Sequence, residues 1–186
     1  MNVKGIIFLT GKTTIIESFG EESWNSFMPK LAAEDKFFSN AIWSVTPVPI
    51  DKFILFLDEM IKEFFSDDKM QYVTFWKVAA QFALSSEGPY KSYLLTKDIK
   101  QFVDLVLPKL WSTYFDEGKG ITKFENNIAH LKITGIQIKN LYFEYLVMGY
   151  FQKALKIFGK KSVAKKVRSL ASGDNDIYFQ FELKDS

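Results

Sequence analysis

The sequence predicts an α+β fold in which a helical part precedes an antiparallel sheet. Apolar residues recur at helical spacing through most of residues 1–118, whereas short strand-like runs follow on either side of one long apolar helix. The order in the second part is strand-strand-helix-strand-strand. We therefore expect a single domain over residues 1–186, mainly helical at 1–118, with the sheet and the long helix at 119–186.

The helical part begins with short elements. The apolar run at 3–10 is compatible with a strand or an early helix, and helices are predicted over 12–19 and 23–31. Ser23 is the expected N-cap of the second of these helices, because its hydroxyl can accept a hydrogen bond from the first turn.

Three longer helices follow in the same part. Apolar residues recur at helical spacing over 50–64, over 72–83 and over 97–115. The Gly-Pro pair at 88–89 is expected to end the second of them. Pro108 lies inside the third and is expected to bend it, since proline removes a backbone donor.

The second part is predicted as two hairpins around a helix over 138–158. Asn126-Asn127 is a turn pair between the first two strands, and 172–175 is a turn between the last two. The helix is apolar almost all round, so we expect it to pack between the sheet and the helical part. The predicted strands are 121–124, 128–133, 162–171 and 177–183.

Composition excludes several classes of site. The chain contains no Cys, which rules out disulfides, thiolate metal sites and Cys nucleophiles, and His130 is the one His. Aromatic residues make up 17% of the chain, which predicts a bulky core or a large apolar pocket. Neither a metal nor another cofactor is therefore expected.

Cellular location is predicted from two absences. No apolar run reaches about 18 residues, so no transmembrane helix is expected. Residues 1–11 lack the cleavage region of a signal peptide, which makes a cytoplasmic protein the expectation.

His130 and the segment around Gly11 are the first candidate motifs. Alternation places His130 on the same strand face as Lys132, which favours a solvated residue over a ligand or catalytic role. Gly11-Lys12-Thr13 matches the end of a phosphate-binding loop, but Ile6 stands where that loop needs its first glycine. Nucleotide hydrolysis is therefore not expected.

Seven basic residues and no acidic residue lie between residues 145 and 173. One interpretation is structural, since lysines favour helix C-termini and protect edge strands. The other is a surface for an acidic protein partner, an anionic membrane or nucleic acid, although a net charge of +2 makes nucleic acid the least expected. The seven residues are Lys153, Lys156, Lys160, Lys161, Lys165, Lys166 and Arg168.

Several short motifs, in their order along the chain, resemble a known superfamily. They are Lys4-Gly5-Ile6-Ile7-Phe8, Phe19-Gly20-Glu21-Glu22, Leu110-Trp111-x-x-Tyr114-Phe115-x-x-Gly118 and the ending from Ala171-Ser172-Gly173-Asp174 to Phe179-x-Phe181. The first resembles the start of heme-nitric-oxide/oxygen-binding domains. Together they resemble an uncharacterised bacterial family, expanded in myxobacteria, that is related to those domains, to four-vinyl-reductase domains and to TRAPP transport components.

The resemblance implies helices around an antiparallel sheet with a mostly apolar cavity between them. Heme domains of the superfamily hold iron through a His and clamp the propionates with a Tyr-x-Ser-x-Arg motif. Leu110 stands where that His is expected, and residues 133–137 (Ile-Thr-Gly-Ile-Gln) stand near the clamp. Heme is therefore not expected, and the absence of Cys removes the acylation site of TRAPP components.

Two functions follow from these observations, and neither is enzymatic. The first is a ligand-sensing or partner-binding module with a small apolar ligand between its helices. The second is a scaffold or homodimerisation domain with a filled core and a basic surface. Gly149 fits either, since a glycine within a helix permits close packing or leaves space for a ligand. The expected pocket walls are Trp76, Phe102, Leu110, Tyr114, Tyr145, Met148 and Gly149.

Overall fold

A computed structural model describes residues 1–66, 68–84, 92 and 98–185 of the chain, apart from the side chains of residues 82, 83 and 185. Its helices are α1 (Gly5–Phe19), α2 (Glu21–Glu34), α3 (Ile50–Phe65), α4 (Lys69–Ala83), α5 (Ile99–Gln101), α6 (Leu107–Tyr114) and α7 (Leu141–Ile157). Its strands are β1 (Asn2–Lys4), β2 (Pro47–Pro49), β3 (Lys119–Glu125), β4 (Ile128–Thr134), β5 (Lys160–Arg168) and β6 (Ile177–Asp185). The predicted α+β class is confirmed.

The first helix starts earlier than its apolar pattern indicated. β1 pairs with β2, and α1 begins directly at Gly5, where a Cβ atom would lie 2.1 Å from the carbonyl oxygen of Trp43. Gly20, with φ of +90°, separates α1 from α2. The prediction for Ser23 is wrong, because α2 begins before it and its hydroxyl donates to the carbonyl of Phe19.

The third long helix is interrupted by a π-helical segment, Phe102–Val106, rather than simply bent. The N–H of Leu107 donates to the carbonyl of Phe102, five residues back. In that register the carbonyl of Val103 would need an N–H from Pro108, which proline does not have. The hydroxyl of Thr122 on β3 donates to this carbonyl instead. The expected helix start at 97 and the Gly-Pro stop at 88–89 lie outside the described residues.

The sheet is antiparallel, with the strand order β3-β4-β6-β5. The hairpin predicted at Asn126-Asn127 is confirmed, and both residues have positive φ, as a tight turn between twisted strands requires. β5 ends at Arg168, three residues before the predicted 171, and a short 3₁₀ turn (Leu170–Ser172) leads towards β6. β3 and β5 are the edges of the sheet.

Helix α7 packs between the sheet and α4, as predicted. It begins at Leu141 rather than 138, because the side chain of Asn140 accepts a hydrogen bond from the N–H of Phe143 and caps the helix. On the sheet side, the ring of Phe151 stacks on Phe181. Buried residues therefore line both sides of one helix.

Gly149 explains how closely α4 approaches α7. A Cβ atom at this position would lie 2.6 Å from the carbonyl oxygen of Val73 and 3.3 Å from Cβ of Trp76. The close-packing interpretation of this glycine is therefore the one that its surroundings support. None of the described helices is both long and apolar enough to cross a membrane.

Replacing Gly149 with alanine is expected to destabilise the protein. The new methyl group must displace backbone, which costs about 1–3 kcal/mol and outweighs a gain in helix propensity of about 1 kcal/mol. Urea unfolding measures the difference, with Ser26→Ala, at an exposed position of α2, as a control expected to stay within about 0.5 kcal/mol. Equal stability of Gly149→Ala and the wild type would contradict this packing.

Candidate functional site

A small apolar cavity lies between α1, α6 and α7. Its volume is about 20 Å³, and no polar atom is exposed to it. This space is close to that needed by a single water molecule, and its walls offer water no partner. The lining residues are Ile7, Leu110, Trp111, Tyr114, Phe115, Leu146, Val147, Tyr150 and Phe151.

Leu110 and Tyr114 are the two predicted pocket residues that line this cavity. They lie one turn apart on α6, and both are buried. The hydroxyl of Tyr114 is 2.6 Å from the hydroxyl of Tyr150 on α7. The polar atom expected to meet a ligand is therefore used to join two helices.

The other five predicted residues lie outside the lining of this cavity. Phe102 packs on Phe158, with ring centroids 4.1 Å apart, and Gly149 meets α4 beside Trp76. Lys166 lies over the ring of Tyr145 at 5.0 Å. The fifth, Met148, is half-buried against the core.

The run of basic residues is divided between several places. Lys153 and Lys156 on α7, together with Lys161 near the start of β5, line an open cleft next to α4. Lys160 begins β5 and Lys165 is exposed on that edge strand. These positions agree with the expectation that lysines occupy a helix end and a sheet edge.

Lys166 and Arg168 face opposite sides of the sheet despite their spacing of two. A bulge between them shifts the register, so that Lys166 lies opposite Phe179 and Arg168 opposite Tyr178. Arg168 stacks over the ring of Tyr178 at 4.8 Å, on the face away from α7. Lys166 points inward, to Glu144. The seven residues therefore do not share one face.

Asp176 pairs with two cations, Lys132 and Arg168, on the sheet face that points away from α7. The guanidinium of Arg168 lies 2.5 Å from its carboxylate, and Lys132 lies 3.2 Å away. Burial opposes the charged form, but the hydrogen bonds from these two cations outweigh it and lower the pKa of Asp176. On the same face, Nδ1 of His130 is 2.7 Å from the hydroxyl of Tyr178. His130 is thus a hydrogen-bonded residue of the outer face.

Glu144 is the residue that the sequence reasoning missed. It is an acid in the first turn of α7, and it is fully buried. Lys166 donates to its carboxylate at 2.9 Å, the hydroxyl of Ser169 lies 2.8 and 2.9 Å from the two oxygens, and the N–H of Ala171 donates at 3.0 Å. The available signal was a single acid within the apolar first half of α7.

The Glu144 cluster joins the start of α7 to the turn after β5. A buried carboxylate is tolerated only when it is paired and hydrogen-bonded, and these partners supply both. The cluster therefore fixes the corner of the sheet against the helix. Its oxygens are all engaged, so its geometry is structural rather than that of a proton-transfer site.

Solved structures with the same fold are H-NOX proteins. An H-NOX protein from S. oneidensis in the Fe(II)NO ligation state matches with a TM-score of 0.73 and 14% identity, over 98% of this chain and 99% of that one. A Cs H-NOX mutant carrying 4-cyano-L-phenylalanine matches with a TM-score of 0.70 and 13% identity, over 98% and 97%. A structure that probes heme distortion in the H-NOX family matches with a TM-score of 0.68 and 13% identity, over 98% and 95%.

These similarities show the fold and confirm the H-NOX-like architecture predicted from the motifs. No family model matches the chain, and no curated protein matches it. Membership of a myxobacterial family and the links to four-vinyl-reductase domains and TRAPP components stay predictions.

The side chains between α1, α6 and α7 do not fit a heme. The space left among them is about 20 Å³, far below the several hundred Å³ typical of a ligand pocket. Leu110 offers no donor atom to an iron, and the two nearby phenols are bonded to each other. Within residues 1–66, 68–84 and 98–184, no group of three His, Asp or Glu side chains is placed to hold a metal. That the chain binds no heme stays a prediction.

Replacing Glu144 with alanine is expected to destabilise the protein by about 3–5 kcal/mol, because Lys166 and Ser169 lose their buried partner. Lys166→Met should also destabilise, and the double variant should lose less than the sum of the two. Urea unfolding of the three variants measures the coupling. Glu182→Ala, an exposed acid on β6, serves as the control. Additive effects would mean that Glu144 and Lys166 do not stabilise each other.

Proposed function

We propose that this chain is a non-catalytic binding module of the H-NOX fold that works without heme and recognises its partner or ligand at its surface. The observation that carries the proposal is the cavity of about 20 Å³ between the helical layer and α7. Aromatic and aliphatic side chains occupy the space in which the fold would otherwise hold a ligand. Of the two functions predicted from the sequence, the scaffold or homodimerisation domain with a filled core and a basic surface is thus the better supported.

The surroundings of the reactive side chains support a function other than catalysis. His130 is bonded to Tyr178, Tyr114 is bonded to Tyr150, and the carboxylate of Glu144 is saturated by its donors. A general acid or base needs a free position towards a substrate. Each of these groups has a structural partner in that position.

An apolar ligand between the helices is the competing function, and one observation favours it. The π-helical segment Phe102–Val106 lies directly before Leu110, and such segments are frequent at functional sites. In this function the segment would let α6 move and open the cavity. The hydrogen bond from Thr122 to the carbonyl of Val103 gives the same segment a structural role in joining α6 to β3, so the tight packing around Leu110 decides between the two functions.

Leu110→Trp distinguishes the two functions. In a filled core the larger side chain strains its neighbours, and the free energy of unfolding should fall by about 1–3 kcal/mol or more. In a pocket able to open, the ring would occupy free space with little loss. Urea unfolding measures the change, and Leu105→Trp, at a neighbouring position that is 61% exposed, is the matched control. Equal stability of the two variants would contradict a filled core.

Heme binding provides an independent test. The protein purified from cells supplied with a heme precursor is expected to contain much less than one heme per chain by the pyridine hemochrome assay. Hemin added afterwards should pass completely to apomyoglobin, since Leu110 offers the iron no axial donor. A stoichiometric heme that resists this transfer would overturn the heme-independent part of the proposal.

A further inference from the structure

An open cleft of about 320 Å³ lies between α4, α7 and the start of β5, away from the apolar cavity. Four of its described lining residues are lysines, and none is an acid. The remaining ones supply amides, hydroxyls and one apolar side chain. The residues of this four-lysine cleft are Thr74, Lys77, Val78, Gln81, Gln152, Lys153, Lys156, Lys161 and Ser162.

The folding of the chain assembles these lysines from three separate elements. On α4, Lys77 and Gln81 lie one turn apart and face the same groove as Lys153 and Lys156 of α7, which are three residues apart. Lys161 joins them from the edge strand that follows α7. Three of the four lysines belong to the basic run visible in the sequence, whereas Lys77 is far from it along the chain.

The charges of the cleft are left without counter-ions. Within the part of the chain that the structure describes, no acid lies within ion-pair distance of these four lysines, whereas Lys132, Lys166 and Arg168 are all paired. Lys153 donates instead to the neutral side-chain oxygen of Gln81 at 2.7 Å. The four-lysine cleft is therefore a concave surface with positive charge.

The pKa values of two of these lysines are lowered in the cleft. Partial burial is the larger cause and the charge of Lys156 the smaller, and both lower the pKa of Lys77 and of Lys153. An anion bound between them would relieve both costs, since it supplies the missing opposite charge.

Ser162 adds a second, independent observation. Its hydroxyl is buried and finds no hydrogen-bond partner among the described residues. Its backbone carbonyl is already occupied by the side-chain amide of Gln152 at 3.2 Å. Buried hydroxyls nearly always have a partner. This one is closed off from solvent at the wall of the cleft, and rotation of the side chain about χ1 brings the unused donor to a ligand bound there.

We propose that the four-lysine cleft binds the diphosphate group of a small molecule. Lysines act as point charges for phosphate oxygens, and Ser162 and Gln152 supply neutral donors beside them. A diphosphate carries about three charges at neutral pH, which suits four lysines better than a single carboxylate does. The volume lies within the range of small-molecule sites, and the open side leaves space for the rest of the ligand.

This inference rests on one part of the proposed function, namely that the protein recognises its ligand at the surface rather than between its helices. The result with Leu110→Trp does not depend on it, so each can fail alone.

Titration calorimetry with inorganic pyrophosphate, at about 0.15 M salt, tests the proposal on the whole chain. The wild type is expected to bind one pyrophosphate, and more tightly than it binds inorganic phosphate. Lys156→Gln should weaken binding about tenfold or more, equivalent to about 1.4 kcal/mol. Lys77→Gln, on the other side of the cleft, should do the same, and circular dichroism confirms that each variant is folded.

Two further variants separate a built site from general attraction of anions. Ser162→Ala should weaken pyrophosphate binding about tenfold, because a hydrogen bond to a charged group is lost without a change in net charge. Lys165→Gln removes a lysine from the same strand but outside the cleft, and should change the affinity less than twofold.

Three outcomes would overturn the proposal. One is the absence of saturable pyrophosphate binding by the wild type at millimolar concentration. Another is an equal loss in Lys156→Gln and Lys165→Gln, which would indicate non-specific attraction. The third is tighter binding of a short single-stranded oligonucleotide that Ser162→Ala leaves unchanged, which would indicate a nucleic-acid surface instead.

Discussion

The burial of α7 on two sides is the constraint on which the rest of the structure depends. The two sides of this helix that face the sheet and α4 are removed from water, so each position on those sides must be apolar or specifically partnered. Gly149 meets this requirement by removing a side chain where α4 approaches within contact of the backbone. Glu144 meets it by gathering a lysine, a hydroxyl and a backbone N–H around its carboxylate.

The π-helical segment before Pro108 joins the helical layer to the edge strand β3 by hydrogen bonds. In the π-helical register of the preceding segment, Pro108 has no N–H to donate to the carbonyl of Val103, which accepts from Thr122 instead. Asp104 in the same segment accepts from the N–H of Phe124, a donor on the edge strand β3. One local irregularity thereby satisfies groups on both elements and protects a sheet edge from further pairing.

The fold of this protein is shared with chains of very different sequence. The chain superposes on H-NOX structures over nearly its full length at 13–14% identity, so the arrangement rests on the pattern of apolar positions rather than on particular side chains. Within that arrangement, tyrosines, phenylalanines and leucines leave about 20 Å³ between the helices. In contrast, four lysines that have no ion pair among the described residues line one surface cleft, where a ligand can reach them without opening the core.

Local pattern by itself determined most of the fold of this protein. Periodicity placed the long helices, the Asn126-Asn127 pair predicted a hairpin, and the apolar surface of α7 indicated a helix covered on several sides. These features depend on neighbours within a few residues, which the sequence displays directly. Leu110 and Tyr114 were identified as walls of the interior for the same reason.

Only the tertiary structure decided how the polar and charged groups are used. The bulge in β5 places Lys166 against Glu144 and Arg168 on the opposite face, although the sequence shows two basic residues in regular alternation. Likewise, Lys77 and Lys161 meet in one cleft although they are far apart along the chain. Their roles follow from contacts between distant segments, because the environment of a charge is set by what lies around it in space.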